Sequence, residues 1–218
     1  MTDKSVIRTS SARIPTEFGE FQLCYYTNTE DDKAHLAFYM GDLSQSESVL
    51  VRVHSECFTG DVLSSQRCDC GEQLNLALKN ISEEGSGVLV YMRQEGRGIG
   101  LLKKIEAYNL QDAGYDTVDA NLMLGHLADE RDYTLAARIL DDLGVNSIRL
   151  MTNNPTKIDA LEKEGINIVE RVELETTITS ENEKYLLTKV EKMNHKLSVP
   201  PTPPVITSND QHESQPTD

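Results

Sequence analysis

Positive charge is what this chain is short of. Its 218 residues carry 21 Lys and Arg against 36 Asp and Glu, a formal net charge of −15. Such a surface repels phosphate backbones, which excludes general nucleic-acid binding, so any phosphate site must come from a local basic cluster. Long apolar runs are also missing. None approaches the length that crosses a bilayer, so no membrane partner is expected. The opening Met1-Thr-Asp-Lys-Ser-Val-Ile-Arg8 contains no apolar core of a secretory signal. Cysteine is scarce: four residues, three of them between positions 57 and 70. A disulfide framework is therefore not expected, and a reducing cytoplasm suits the chain better.

The clustered cysteines are the first informative stretch. Cys57, Cys68 and Cys70 are spaced C-x10-C-x-C, with Cys24 far upstream in the strand-like Phe21–Tyr26. Thiolates at that density suit a borderline cation such as Zn2+. Three protein ligands with a free fourth position describe a catalytic zinc site, whereas four describe a structural one. His54 is the candidate that would close the site as a fourth ligand. Three buried small hydrophobes are the plainer alternative. Arg67 and Asp69 interleave with the cysteines, and Asp61 and Glu72 lie close by, which makes a poor apolar core.

Residues 1–12 are polar and read as a flexible N-terminus. Strands are expected at 34–41, 49–54, 87–92, 147–151 and 166–172, from apolar runs and alternation. Helical spacing marks 72–84, 101–114, 119–127, 133–143, 156–164 and 182–194. Strands alternating with helices from 72 onward, behind a β-rich front end, predict an α/β fold of mixed α+β character: one domain over 13–197, with a central mixed sheet flanked by helices. From 198 to 218, proline crowded among polar residues predicts a disordered tail.

The second informative stretch is Arg93-Gln-Glu-Gly-Arg-Gly-Ile-Gly100, a glycine-rich loop between a buried strand and a helix. Such loops bring backbone amides against phosphate, although many are plain turns. Arg52, Arg67, Arg93, Arg97, Lys103, Lys104, Arg131 and Lys157 fall mostly at strand ends or in loops, where α/β proteins gather their sites. A polyanionic metabolite such as a nucleotide would suit that field. Asp129 and Arg131 stand two apart in a non-helical segment and can address one site, while Asp132 reads as a helix cap. Thr152-Asn-Asn-Pro155 is either an N-cap or a ligand contact at a strand end. Lys157, in the first turn of a helix, is misplaced unless it faces an anion.

Several stretches together carry a resemblance: Arg52-Val-His-Ser-Glu-Cys57, Arg67-Cys-Asp-Cys-Gly-Glu-Gln-Leu74, Arg93-Gln-Glu-Gly-Arg-Gly-Ile-Gly-Leu101, Tyr108-Asn-Leu-Gln-Asp, Gly114-Tyr-Asp-Thr117, Ala128-Asp-Glu-Arg-Asp-Tyr133 and Leu150-Met-Thr-Asn-Asn-Pro155 followed by Lys157. From about Ile14 to Leu197 the chain resembles GTP cyclohydrolase II, the entry enzyme of riboflavin biosynthesis. A fused dihydroxybutanone phosphate synthase domain is not expected within 218 residues, so the monofunctional form is the one it resembles.

The resemblance implies one catalytic Zn2+ per subunit on Cys57, Cys68 and Cys70. It implies GTP contacts from Arg52, Val53, His54, Ser55, Glu56, Gln73, Glu95, Gly96, Arg97, Thr117, Thr152 and Lys157. Asp129 is implied as general base and Arg131 as nucleophile toward the α-phosphorus, with charge stabilisation an alternative role for Arg131. Tyr108 is implied near the opened ring, Mg2+ at the leaving diphosphate, and a homodimer as the assembly. Three rivals remain open: a variant that stops at the formamide, a non-catalytic zinc and nucleotide-binding regulator, and a structural zinc module closed by His54.

Overall fold

The structure, a computed structural model, describes residues 5–199. It is built on one mixed sheet of strands β1 (Val6–Thr16), β2 (Gly19–Asn28), β3 (His35–Met40), β4 (Val49–Ser55), β5 (Gly87–Met92), β6 (Ser147–Met151) and β7 (Asn167–Val172), in the order β1-β2-β3-β5-β4-β6-β7. The first three strands run antiparallel and join β5 antiparallel. β5, β4, β6 and β7 are mutually parallel. The helices are α1 (Phe58–Asp61), α2 (Cys70–Glu84), α3 (Gly100–Asp112), α4 (Thr117–Met123), α5 (Thr134–Asp142), α6 (Pro155–Lys163) and α7 (Glu183–Met193), with 3-10 turns at Leu43–Gln45 and Glu95–Gly98.

Side chains alternate along β4, and that alternation divides core from site. Val51 and Val53 join Val88, Val90, Ile139, Leu140, Leu150 and Leu161 in the larger core. Leu50 faces the other way with Leu89, Ala77, Ile81 and Met151. Arg52 and His54 share Leu50's parity and continue that face toward the strand's carboxyl end. Each fully buried aliphatic side chain in these clusters contributes roughly 1.5–3 kcal/mol. Local signals set the helix ends. Gly85 terminates α2 at φ 75°, its amide reaching the carbonyls of Ile81 and Ser82. Asp116 caps α4 by accepting from the amides of Val118 and Asp119. Asn154 caps α6, with Pro155 behind it.

The mixed α/β architecture and the β-rich front follow the sequence reading, but the N-terminus does not. Val6 onward is strand, paired with β2 from Val6 opposite Asn28 to Thr16 opposite Gly19. β2 satisfies the backbone of β1, while most β1 side chains are exposed and so are polar. Residues 1–4, and 200–218 of the expected tail, lie outside the described residues. α2 starts at Cys70 rather than Glu72, and α4 at Thr117 rather than Asp119.

Candidate active site

A cavity with an open volume of about 1070 Å³ sits at the carboxyl ends of β4, β5 and β6. β4 is the switch point. The chain leaves toward β5 on one side and β6 on the other, which opens a crevice above it. α2, the Glu95–Gly98 turn, α3, α4, α6 and α7 supply the remaining walls.

The three thiols meet on one wall. Cys57 caps α1 and Cys70 opens α2. The two elements approach so closely that a Cβ on Gly71 would stand 2.3 Å from the Gly60 carbonyl oxygen. A Cβ on Gly60 would stand 3.1 Å from Cys57 Sγ and 3.2 Å from Cys68 Sγ. Cys57 Sγ and Cys68 Sγ are 3.6 Å apart, and all three sulfurs lie within 4.8 Å of one another. Sulfurs on a tetrahedral zinc, each about 2.3 Å from the ion, stand roughly 3.8 Å apart, so the donor set fits that ion. Hydrogen bonds with Cys68 and Cys70, helped by Lys104 against the effect of burial, hold the Cys57 thiol far below its ordinary pKa. The same bond with Cys57 pushes Cys68 up to about 11, and Cys70 is also raised. Deprotonating all three thiols at this spacing calls for a cation among the sulfurs.

His54 does not close the trio. Its Nε2 lies 3.0 Å and 3.1 Å from the two Asp61 oxygens, its ring stacks on Tyr91, and among the described residues the thiol group contains the three cysteines alone. Asp61 also accepts from Tyr91 Oη and the Cys57 amide, so this buried network braces the β4–α1 corner. Lys104 Nζ donates to Cys57 Sγ and to Glu95 Oε1. Glu95 also accepts from the Phe58 amide at 2.6 Å. Tyr108 pairs with Thr59 Oγ1 at 3.1 Å, under the Arg67 guanidinium.

The lining as a whole is cationic. Seven Lys and Arg line the cavity (Arg52, Arg67, Arg97, Lys104, Arg131, Lys157 and Lys189) against two acids, Glu56 and Glu95. Arg52 is buried, with Nη1 donating to the Met151 carbonyl and Nη2 to Gln73 Oε1. Lys157 is 4 % exposed and donates to the Val53 carbonyl at 2.5 Å. Burial, then Arg52 and Arg131, push its pKa well down. Arg131 donates to both oxygens of Asp129, at 2.8 Å and 2.5 Å. Burial would lower its pKa, but Tyr133 and Asp129 outweigh that and hold it up. Gly96 and Arg97 are both left-handed at φ 63°, a strained state for an arginine. The Glu130 amide donates to the Arg97 carbonyl, tying this turn to the Asp129 loop. Arg52 Nε, His54 Nδ1, Gln94 Oε1 and Arg97 Nη2 are buried without a hydrogen-bond partner among the described residues, and all four residues line the cavity.

Of the residues singled out in the sequence, Arg52, His54, Ser55, Glu56, Cys57, Cys68, Cys70, Gln73, Glu95, Gly96, Arg97, Tyr108, Thr117, Arg131, Thr152 and Lys157 line one cavity. Val53 does not: its side chain is in the core and only its carbonyl faces Lys157. Asp129 stands behind Arg131 rather than on the wall. Arg93 turns away to pair with Glu56 at 2.9 Å. Sequence reasoning missed Asn121, Tyr185, Lys189 and His195, which reach the site only through tertiary packing.

Among the described residues, no helix is long and apolar enough to cross a membrane. A two-domain dihydroxybutanone phosphate synthase from A. baumannii, RibBX, aligns over 81% of this chain and 42% of its own at TM-score 0.48 and 23% identity, too remote to bear on the site. The riboflavin biosynthesis protein RibBA of Bacillus cereus is 55% identical over 194 residues, covering 89% of this chain and 49% of its own length. RibBA of Chlorobium phaeovibrioides is 56% identical over 195 residues, covering 89% and 48%. The chain thus spans about half the length of the curated relatives it matches. The family model described as GTP cyclohydrolase II matches residues 7–173, and with it the strands and turns that carry the thiols and most of the cations: the chain belongs to the GTP cyclohydrolase II family.

Proposed function

We propose that this chain hydrolyses GTP to formate, diphosphate and a diaminopyrimidinone ribosyl monophosphate, the first step of riboflavin biosynthesis. The observation that carries the reading is the pairing of a three-sulfur group that could hold a metal with seven cations around one cavity in an otherwise acidic protein. Three waters are consumed, one for each bond broken: the α–β phosphate link and the two bonds to C8.

Zinc on Cys57, Cys68 and Cys70 would supply a Lewis acid that activates water near neutral pH. The protein's own groups do the rest. Lys157 and Arg52 hydrogen-bond to carbonyl and amide oxygens rather than to carboxylates and are assigned to the triphosphate, with Mg2+ arriving on the substrate. Arg131 is a charged donor fixed by Asp129, which favours stabilisation of the α-phosphate over nucleophilic attack. Asp129 stays ionised below the usual carboxylate range because the Arg131 bonds outweigh its burial, so it suits orienting Arg131 better than taking a proton. Tyr108, beside Thr59 and close to the sulfurs, is assigned to the opened ring. Gln73, Thr117 and Thr152 offer polar groups for the base and ribose. Three of the four cysteines cluster at metal spacing, which suits a reducing compartment such as the cytoplasm better than a disulfide scaffold. The homodimer is assigned to the exposed apolar side chains Leu102 and Ile105 of α3 and Leu122 and Met123 of α4.

Purified protein given GTP and Mg2+ should release formate and diphosphate together, and Cys68→Ser should lose both zinc and formate. Diphosphate without formate would leave only the variant that stops at the formamide. Neither product from a zinc-loaded protein would leave a binding protein.

A further inference from the structure

The family match stops at residue 173, but the cavity does not. Tyr185, Lys189 and Met193 of α7, and His195 just beyond it, also line it. The segment is stitched down at both ends. The Thr177 amide and Oγ1 donate to the Glu72 carboxylate at 3.0 Å and 2.9 Å. Asn153 Nδ2 donates to the Leu174 carbonyl at 2.7 Å, and the Lys196 amide to the Asn153 carbonyl at 2.9 Å. Between these ties, Lys189 Nζ donates to Asp69 Oδ1 at 2.6 Å, with side chains 9% and 0% exposed.

Asp69 is the residue between Cys68 and Cys70. It also accepts from Gln73 Nε2 at 2.6 Å and Thr176 Oγ1 at 3.3 Å. A carboxylate buried beside sulfurs that must themselves become anionic is a costly arrangement unless a cation is buried with it. Arg52 is near enough to favour the carboxylate, but the ammonium bonded to it comes from 120 positions away. Lys189 also differs from Lys157. Lys157 donates to a backbone carbonyl, whereas the charge of Lys189 is matched by direct contact with Asp69.

We propose that Lys189 is a positioning residue for the metal hairpin: its ammonium neutralises Asp69 and holds the Cys68-Asp69-Cys70 turn against Cys57. α7 thereby completes a metal site none of whose ligands it carries. This inference rests on reading the thiol trio as a zinc site.

The test uses the zinc-loaded full chain and reads zinc affinity by competition with a chromophoric chelator, with circular dichroism as the check on folding. Lys189→Met should weaken zinc binding roughly ten- to hundredfold, the usual range for groups that orient metal ligands. Lys189→Arg should stay near wild type. The double variant Asp69→Asn with Lys189→Met should regain most of the loss, because the buried negative charge is gone. A folded Lys189→Met protein with wild-type zinc affinity overturns the proposal, and so does a folded double variant that binds zinc no better than the single one. If Lys189→Met does not fold, a folded double variant with near wild-type zinc affinity supports the proposal, and one with affinity at least tenfold down refutes it. A wild-type chain that binds no zinc removes the zinc reading itself, and is seen before any variant is compared.

Discussion

Lys104 Nζ lies 3.1 Å from Cys57 Sγ. The same nitrogen is 2.8 Å from Glu95, whose carboxylate also holds the α1 amide of Phe58, so one cation ties the sulfur to the glycine-rich turn. Lys104→Met should weaken zinc retention about tenfold and lower turnover with it. Lys103→Met is the control on the same helix, since Lys103 pairs with half-exposed Glu106 at the surface. Equal zinc retention in the two variants would show that the Lys104 contact has no part in holding the metal.

Gly71 is fixed by close approach rather than by its own conformation. An added methyl would need backbone to move, because its nearest neighbour is the Gly60 carbonyl at 2.3 Å. Gly71→Ala should cost about 1–3 kcal/mol of stability and separate Cys57 from Cys70. Thermal melting together with zinc content checks this; a stable variant with full zinc would show that α1 and α2 tolerate a wider spacing.

Lys157 is kept at a cost to the free protein. Its charge is buried beside Arg52 and Arg131 with a carbonyl as its hydrogen-bond partner. Lys157→Met should therefore leave the melting temperature of the nucleotide-free protein unchanged or raised. The same change should weaken GTP binding by roughly ten- to hundredfold, the worth of a charge-assisted hydrogen bond. A drop in stability with unchanged GTP affinity would make the lysine a structural residue.

Acid should destabilise the fold well above the carboxylate range. Burial holds His35 and His54 below their ordinary pKa, and His195, buried near Lys189, is pushed down to about 4. The unfolded chain therefore binds more protons than the native one between the ordinary value of 6.5 and about 4, and stability falls as pH drops through that window. Asp69 and Asp129 have lowered pKa values, so the stability they contribute is present above their unfolded values near 3.8 and is lost only at lower pH. Melting temperatures measured from pH 7 to 4.5 should decline, and His195→Asn should flatten the decline. A melting temperature that rises on acidification would contradict the buried neutral imidazoles.

Much of this was legible in the chain because the signals are local. The parallel strands are short apolar runs, Gly85 and Asn154 mark helix ends, and the cysteine spacing points to a group that could hold a metal ion. β1 was not legible because its side chains are mostly exposed on a strand at the sheet's edge, so it lacks the apolar alternation by which a half-buried strand is read. Arg93 was misplaced because the charge pattern does not say which way a strand-end side chain turns; Glu56 decides that. The helix at α7 was visible from its spacing. That its Lys189 reaches Asp69 was not, since nothing near either residue encodes a contact across 120 positions.

The two halves of the site differ in how much chain they must gather. Cys57 and Cys68 are 11 positions apart, whereas Lys157 reaches the Val53 carbonyl across 104. Closing a short loop costs less entropy than closing a long one. Under mild denaturant the short cysteine loop should therefore outlast the contact of Lys157 with Val53, so the sulfur wall and this part of the cationic lining come apart at different denaturant concentrations.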